Sequence, residues 1–447
     1  MRSVLSGLVA ALATLAGPAV ATEPALDGTR TVRNVAELRA ALDGGVAATT
    51  VRLLAGDYPL DRPLVVPDGV LLEGIGTMAV RDGRAAGFDA GPVTVIRAAR
   101  SFDGDLVTLG NDAGLRSLLL LDQTPSRGAA LRQGNVVALV SRSAGDRLSA
   151  RIEDCEIVSG GAMGVTTRGP VGHGIVVLTR SPSLGESGQP HVGSTVSLHL
   201  SRSRVQARGA SLFVVNFASR SEIEVTLEGN LMAGPIVASG GASRPQLVSG
   251  SRVHLHSSGN LYQHSDEGED SFGWMLYGGS TPHLPSLATP GPRDNELSMQ
   301  SNGDRIEGFR IGVLAGGARR RYEIAGPPID NRARLDLVDL SISTHGDRPL
   351  GVALHGAIAG EGDVAIAGPG FPAGEGNVLW ARMRSMRVDE PQVGNRYSAT
   401  FGDPRMDPAA GTNRLVLAGT AEDFARDNPG FPPPPPDAFD DVDTRDR

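Results

Sequence analysis

The chain has 447 residues, a formal net charge of −8 and 40% hydrophobic residues. That length can bury a large core, the negative balance argues against a nucleic-acid partner for the surface as a whole, and no apolar run beyond the N-terminus is long enough to span a bilayer. Glycine is abundant at 59 residues and aromatics make up only 4%, which suits a chain that turns often, such as a solenoid, better than a compact α/β enzyme.

The N-terminus reads as a secretory signal over residues 1–21: Arg2, an apolar stretch from Leu5 to Leu15, and the small-residue cleavage site Ala19-Val20-Ala21. An exported protein, periplasmic or secreted, is therefore expected, with no stable membrane insertion after cleavage. A short helix follows over residues 34–44. Asn34 caps it, Glu37 completes a capping box, Val35, Leu38 and Leu42 share one face, and Gly44-Gly45 end it. Such a helix can cover the open end of a stack of strands.

Short β-branched and leucine runs broken by turn residues come next, in "TTVRLLAGDYPL", "LVVPDGVLLEGIG" and "TVIRAA". A capped helix followed by these segments resembles the opening coils of the pectate-lyase-like superfamily. The resemblance implies an all-β fold, a right-handed parallel β-helix occupying residues 22–430 behind the N-terminal capping helix. It implies no single chemistry, because that superfamily contains lyases, hydrolases, esterases, epimerases and binding proteins.

The middle of the chain repeats in pairs of strands. First strands around Val196–Leu200, Ile223–Leu227, Val253–Leu255, Leu297–Met299 and Leu335–Leu337 are each followed by a small-polar turn. Second strands then follow around Leu212–Val215, Ile236–Ala238, Trp274–Leu276, Ile311–Leu314 and Val352–Leu354. Asn230, Asn260, Asn302, Asn331, Asn377, Asn395 and Asn413 fall at corners, where asparagine tolerates left-handed backbone and can stack in a ladder, as it does in the resembled family. Twelve or so coils about 4.8 Å apart give a body roughly 55–60 Å long. Past Pro432–Pro436 the charged residues of a 431–447 tail are expected to be disordered.

Candidate chemistry falls in four places. Gly172-His173-Gly174, with Glu153-Asp154 upstream, resembles part of a polygalacturonase pattern, although the Asn-x-Asp and Arg-x-Lys of that pattern are missing. The segment 260–295 reads as an edge insertion that gathers His264, Asp266 and Glu267 as candidate catalytic groups. Trp274 and Tyr277 in the same segment are candidate sugar platforms; the plainer reading is a solvated acidic loop followed by a core strand containing Trp274. Arg310 could meet a uronate, and it could equally belong to surface charge. Asn216, among aromatics in Phe213–Phe217, is a candidate substrate contact or a corner residue. The chain has no lysine, so arginine or another group would have to do what lysine does in uronate lyases. Cys155, the sole cysteine, cannot form an internal disulfide and reads as a small apolar side chain in a strand.

No G-x-S-x-G, phosphate loop, H-E-x-x-H or nonapeptide calcium repeat is present, so no cofactor and no metal is expected. The sequence points to an exported β-helix that binds or cleaves a polysaccharide along one face. A non-catalytic envelope or adhesion protein is the competing reading. Oligomeric state is not encoded in any legible feature.

Overall fold

The computed structural model describes residues 28–440, apart from 44–48, 100–101, 123–133, 142, 161–163, 167–168, 180–191, 244–245, 265–271, 282–287, 346–348, 361–370, 372, 389–398, 402–411, 430 and 432. The signal segment lies outside these residues.

Three parallel sheets run the length of the body, with 13, 10 and 10 strands. Each coil gives one strand to each sheet and then climbs to the next. The crossovers make the right-handed parallel β-helix that the sequence implies, the hand that parallel connections take. The sheet with 13 strands, called the long sheet below, contains the first strands: Thr195–Ser201, Glu222–Glu228, Arg252–Ser258, Glu296–Asn302, Arg332–Val338 and Val378–Arg384 pair in register over seven residues each. The second strands form the third sheet.

The turn expected between them is itself a strand in several coils. Arg204–Ala207, Leu231–Ala233 and Leu261–Gln263 pair upward as the second sheet. These segments are too short for alternation to be read from sequence, since one inward residue, such as Met232, makes no pattern. Of the insertion expected at 260–295, residues 265–271 and 282–287 lie outside the described residues. Leu261–Gln263 and Phe272–Ser280 are ordinary strands of the second and third sheets.

Alternation explains the core. Val196, Leu198 and Leu200 lie over Ile223, Val225 and Leu227, then over Val253 and Leu255, all inside. Each such side chain contributes about 1.5–3 kcal/mol when fully buried, and each needs the coil above and below to be hidden.

The corners put a left-handed residue first and a ladder residue second. Asp154, Arg202, Gly229, Gly259, Gly303 and Asp339 have φ between 44° and 64° or 69° at the same corner of successive coils. Next to them Ser203, Asn230, Asn260 and Asp304 form one ladder, each backbone N–H donating to the following side-chain oxygen at 2.7–2.9 Å. Asn295, Asn331, Asn377 and Asn413 form a second ladder at another corner, with amide-to-amide bonds of 3.0 Å. Asn302 is instead an exposed strand end beside the ladder position of Asp304, and Asn395 lies outside the described residues.

Both ends are closed. The helix Val35–Asp43 buries Leu38, Ala41 and Leu42 on the core, and Glu37 N donates to Asn34 Oδ1 at 2.9 Å. At the other end the helix Ala421–Asp427 brings Phe424 edge-on to Phe401, Phe431 and Phe439. Phe439–Asp440, within the expected tail, adds a parallel strand to the long sheet. An antiparallel hairpin, Met78–Arg81 with Arg84–Phe88, leaves the second coil.

Candidate functional site: a groove on the long sheet

Register turns alternate residues into straight rows on the outer face of the long sheet. One row runs His199, Thr226, His256, Gln300, Asp336 and Arg382; beside it run Glu224, His254, Ser298, Arg334 and Trp380. Two adjoining depressions of about 460 and 350 Å³ share Gln300 and Asp336. The larger is walled by Glu228, Ser258, Asn302 and Arg384. The smaller contains His254, Ser298, Arg334 and Arg382. From the strand Glu222–Glu228 to Val378–Arg384 is four coil spacings, about 19 Å, so the groove is elongated along the axis.

Hydrogen bonds fix its side chains. His254 Nδ1 lies 2.7 Å from Ser298 Oγ, and its Nε2 is 3.5 Å from Glu222 Oε1. His256 Nδ1 is 3.2 Å from Gln300 Oε1. Arg382 grips Asp336 through Nε at 3.0 Å and through Nη2, and Arg384 adds a contact at 3.7 Å. Two guanidinium groups contact the half-buried Trp380 ring, Arg334 at 4.6 Å and Arg382 at 5.9 Å from its centroid.

Charge on this face is uneven. Toward the N-terminal end, Arg52, Glu73, Arg116 and Glu153 alternate at 2.8, 3.5 and 3.3 Å and neutralise one another. Toward the C-terminal end the outward residues include Arg332, Arg334, Arg382, Arg384 and Arg414, with Asp336 and Glu296 as the carboxylates of the smaller depression. Among the described residues no carboxylate lies within 4.0 Å of Arg334. The net charge of the whole chain therefore misrepresents this end of the groove.

The residues singled out from sequence lie elsewhere. His173 is buried, stacked on Phe213 at 4.7 Å, and its Nδ1 accepts from Ala210 N at 3.0 Å. Burial pulls its pKa down to about 4, so the ring is neutral and sealed from substrate. Trp274 is fully buried in the core, edge-on to Tyr262 at 5.1 Å, where no sugar can stack on it. Tyr277 is buried on the other face of the third sheet, its hydroxyl accepting from Arg319 Nη1 at 2.7 Å. Asn216 is buried too: its amide donates to Gly240 O and Arg252 O and its oxygen accepts from Thr179, which corrects a ligand role to a structural one. Arg310 is buried beside its strand and does not face the groove residues' sheet. His264 is half-buried against Phe309 at 5.3 Å, while Asp266 and Glu267 lie outside the described residues.

Sequence reading missed His254, His256, Gln300, Arg334, Asp336, Trp380 and Arg382. For His254, His256, Gln300, Arg334 and Asp336 the signal was present, because they lie on or beside the strands identified from their inward residues, whereas the strand Val378–Arg384 that contains Trp380 and Arg382 had not been identified. What sequence reading lacked was the register that stacks them. Among the described residues no group of three or more His, Cys, Asp or Glu side chains is placed to hold a metal ion.

No protein-family model matches this sequence, and no curated protein matches it. Two solved structures resemble the fold, both A-modules of mannuronan C-5 epimerases from Azotobacter vinelandii. The AlgE6 module is 14% identical, with 82% of this chain and 93% of that chain covered at a TM-score of 0.35. The AlgE4 module is 15% identical, with 83% and 98% covered at a TM-score of 0.32. By the register of its own three sheets, this chain is a right-handed parallel β-helix protein.

Proposed function

We propose that this protein binds a uronate-bearing polysaccharide lengthwise along the outer face of its long sheet. The observation that carries the reading is the half-buried Trp380 ring with Arg334 and Arg382 beside it, both of which line the smaller depression of an axial groove. An aromatic face suits the apolar side of a sugar ring, and a guanidinium beside it suits the ring's carboxylate. The groove's length along the axis fits a linear polymer. Export, expected from residues 1–21, would bring the protein to such polymers. His256, in the outward row beside that of Trp380, is the group through which binding would extend to turnover.

The test is a titration of polygalacturonate, polymannuronate and neutral dextran, with a parallel assay for unsaturated and reducing ends. The expected result is binding of a polyuronate and not of dextran, weakened about tenfold or more by Trp380→Ala or Arg334→Ala. Dextran binding as tight as polyuronate binding, or insensitivity to both variants, would refute the reading. Binding with no product would restrict the protein to adhesion or spacing.

A further inference from the structure

We infer that the hairpin Met78–Arg81/Arg84–Phe88 is a second anion-recognition element of the groove, in which the facing Arg81 and Arg84 side chains meet a carboxylate of the bound polymer. The inference rests on the polyuronate reading above. The hairpin springs from the second coil but docks much farther along the axis. Phe88 N donates to Glu156 Oε2 at 3.4 Å, Ala85 N to Gly229 O at 3.0 Å, and Arg84 Nη2 to Gly303 O at 3.4 Å. Gly229 and Gly303 directly follow Glu228 and Asn302, which wall the larger depression. The hairpin tip therefore stands at the rim of that wall. A Cβ on Gly229 would meet Gly83 O at 3.0 Å, so the coil leaves room for the tip.

The tip is built at a cost. Asp82 and Gly83, with φ of 51° and 77°, form a tight two-residue turn that sets Arg81 opposite Arg84. Like charges directly across a strand pair destabilise it. Among the described residues neither guanidinium has a carboxylate within 4.0 Å, and Arg84 bonds only a backbone carbonyl, that of Gly303. Local conflicts of this kind are expected where a ligand resolves them. A carboxylate between two guanidinium groups would do so, and it would add an anion contact two coil spacings, about 10 Å, up the axis from Trp380, at the level of Gly303.

The experiment titrates oligogalacturonates and oligomannuronates of increasing length into the full chain and into Arg81→Ala/Arg84→Ala, Arg84→Lys and Trp380→Ala variants. For oligomers long enough to span from Trp380 to the hairpin, the double variant should bind about tenfold or more weakly, with a shallower salt dependence. The shortest oligomers should bind it as they bind the parent. Arg84→Lys should retain part of the affinity. Equal affinity of parent and double variant at every length, while Trp380→Ala loses binding, would overturn the inference and leave the groove reading intact. A fall in melting temperature with no change in affinity would overturn it as well, leaving the hairpin a structural staple. If the double variant fails to fold, exposed Arg81→Ala alone carries the same comparison with a smaller expected loss. Failure of the parent to bind any uronate oligomer would sink both readings.

Discussion

Replacing Asp304 with Asn should stabilise the protein and flatten part of its pH dependence. Asp304 occupies a ladder position filled one coil earlier by Asn260, and it is fully buried. Its Oδ1 accepts from Asn260 N at 2.7 Å and from Asn260 Nδ2 at 3.1 Å, and its Oδ2 accepts from Ser301 Oγ at 2.6 Å. Burial raises its pKa, although the hydrogen bonds from Ser301, Ser257 and Asn260 pull the other way. Asn keeps the accepting oxygen. Its amide nitrogen can donate to Ser301 Oγ, just as Asn260 Nδ2 donates to Ser257 Oγ at 2.9 Å one coil back. The gain is relief of a buried charge with no loss of bonds, about 1 kcal/mol or more at neutral pH. A raised folded-state pKa contributes stability that is present below the unfolded value, near 3.8, and is lost as pH rises through the folded value. Parent and variant should therefore diverge between about pH 4 and neutrality. Denaturant melts across that range measure the difference, and a variant that is less stable at pH 7, or that keeps the parent's slope, would refute the argument.

Other expectations follow from burial. Trp274→Ala should cost about 3–5 kcal/mol in denaturant melts, the loss of a core aromatic, whereas a sugar-stacking side chain would be removed almost without cost. The His173 imidazole should titrate near pH 4 by NMR, because burial depresses it. Stability linked to it is complete above about 6.5 and is lost as pH falls toward 4, so a midpoint at 6.5 would show that the ring is solvated. Cys155, buried and pushed up to about 12, should react with thiol reagents only as fast as the protein unfolds. Rapid labelling of the native protein would contradict the placement.

The fold was legible in the sequence because its determinants are local. Inward aliphatics such as Val196, Leu198 and Leu200 alternate within one strand, and Asn34 and Glu37 mark the cap within one turn. The second sheet was hidden because strands such as Leu231–Ala233 are too short to show a period. The site was hidden for a different reason. His256, Gln300, Asp336 and Arg382 come from four coils, separated by 36 to 46 residues, and become neighbours only through register. Spacing of 44 residues between His256 and Gln300 has no meaning until both strands are stacked. Sequence proximity instead drew attention to His173 and Trp274, whose clustering in the chain says nothing about which face of a strand they occupy.

The most direct measurement is a structure of the protein with a uronate oligosaccharide bound. The account expects sugar density on the outer face of the long sheet, parallel to the axis, with one ring against Trp380 and its carboxylate at Arg334. Density on the third sheet, at the corners or across the coil ends, with the Trp380 face bare, would contradict it.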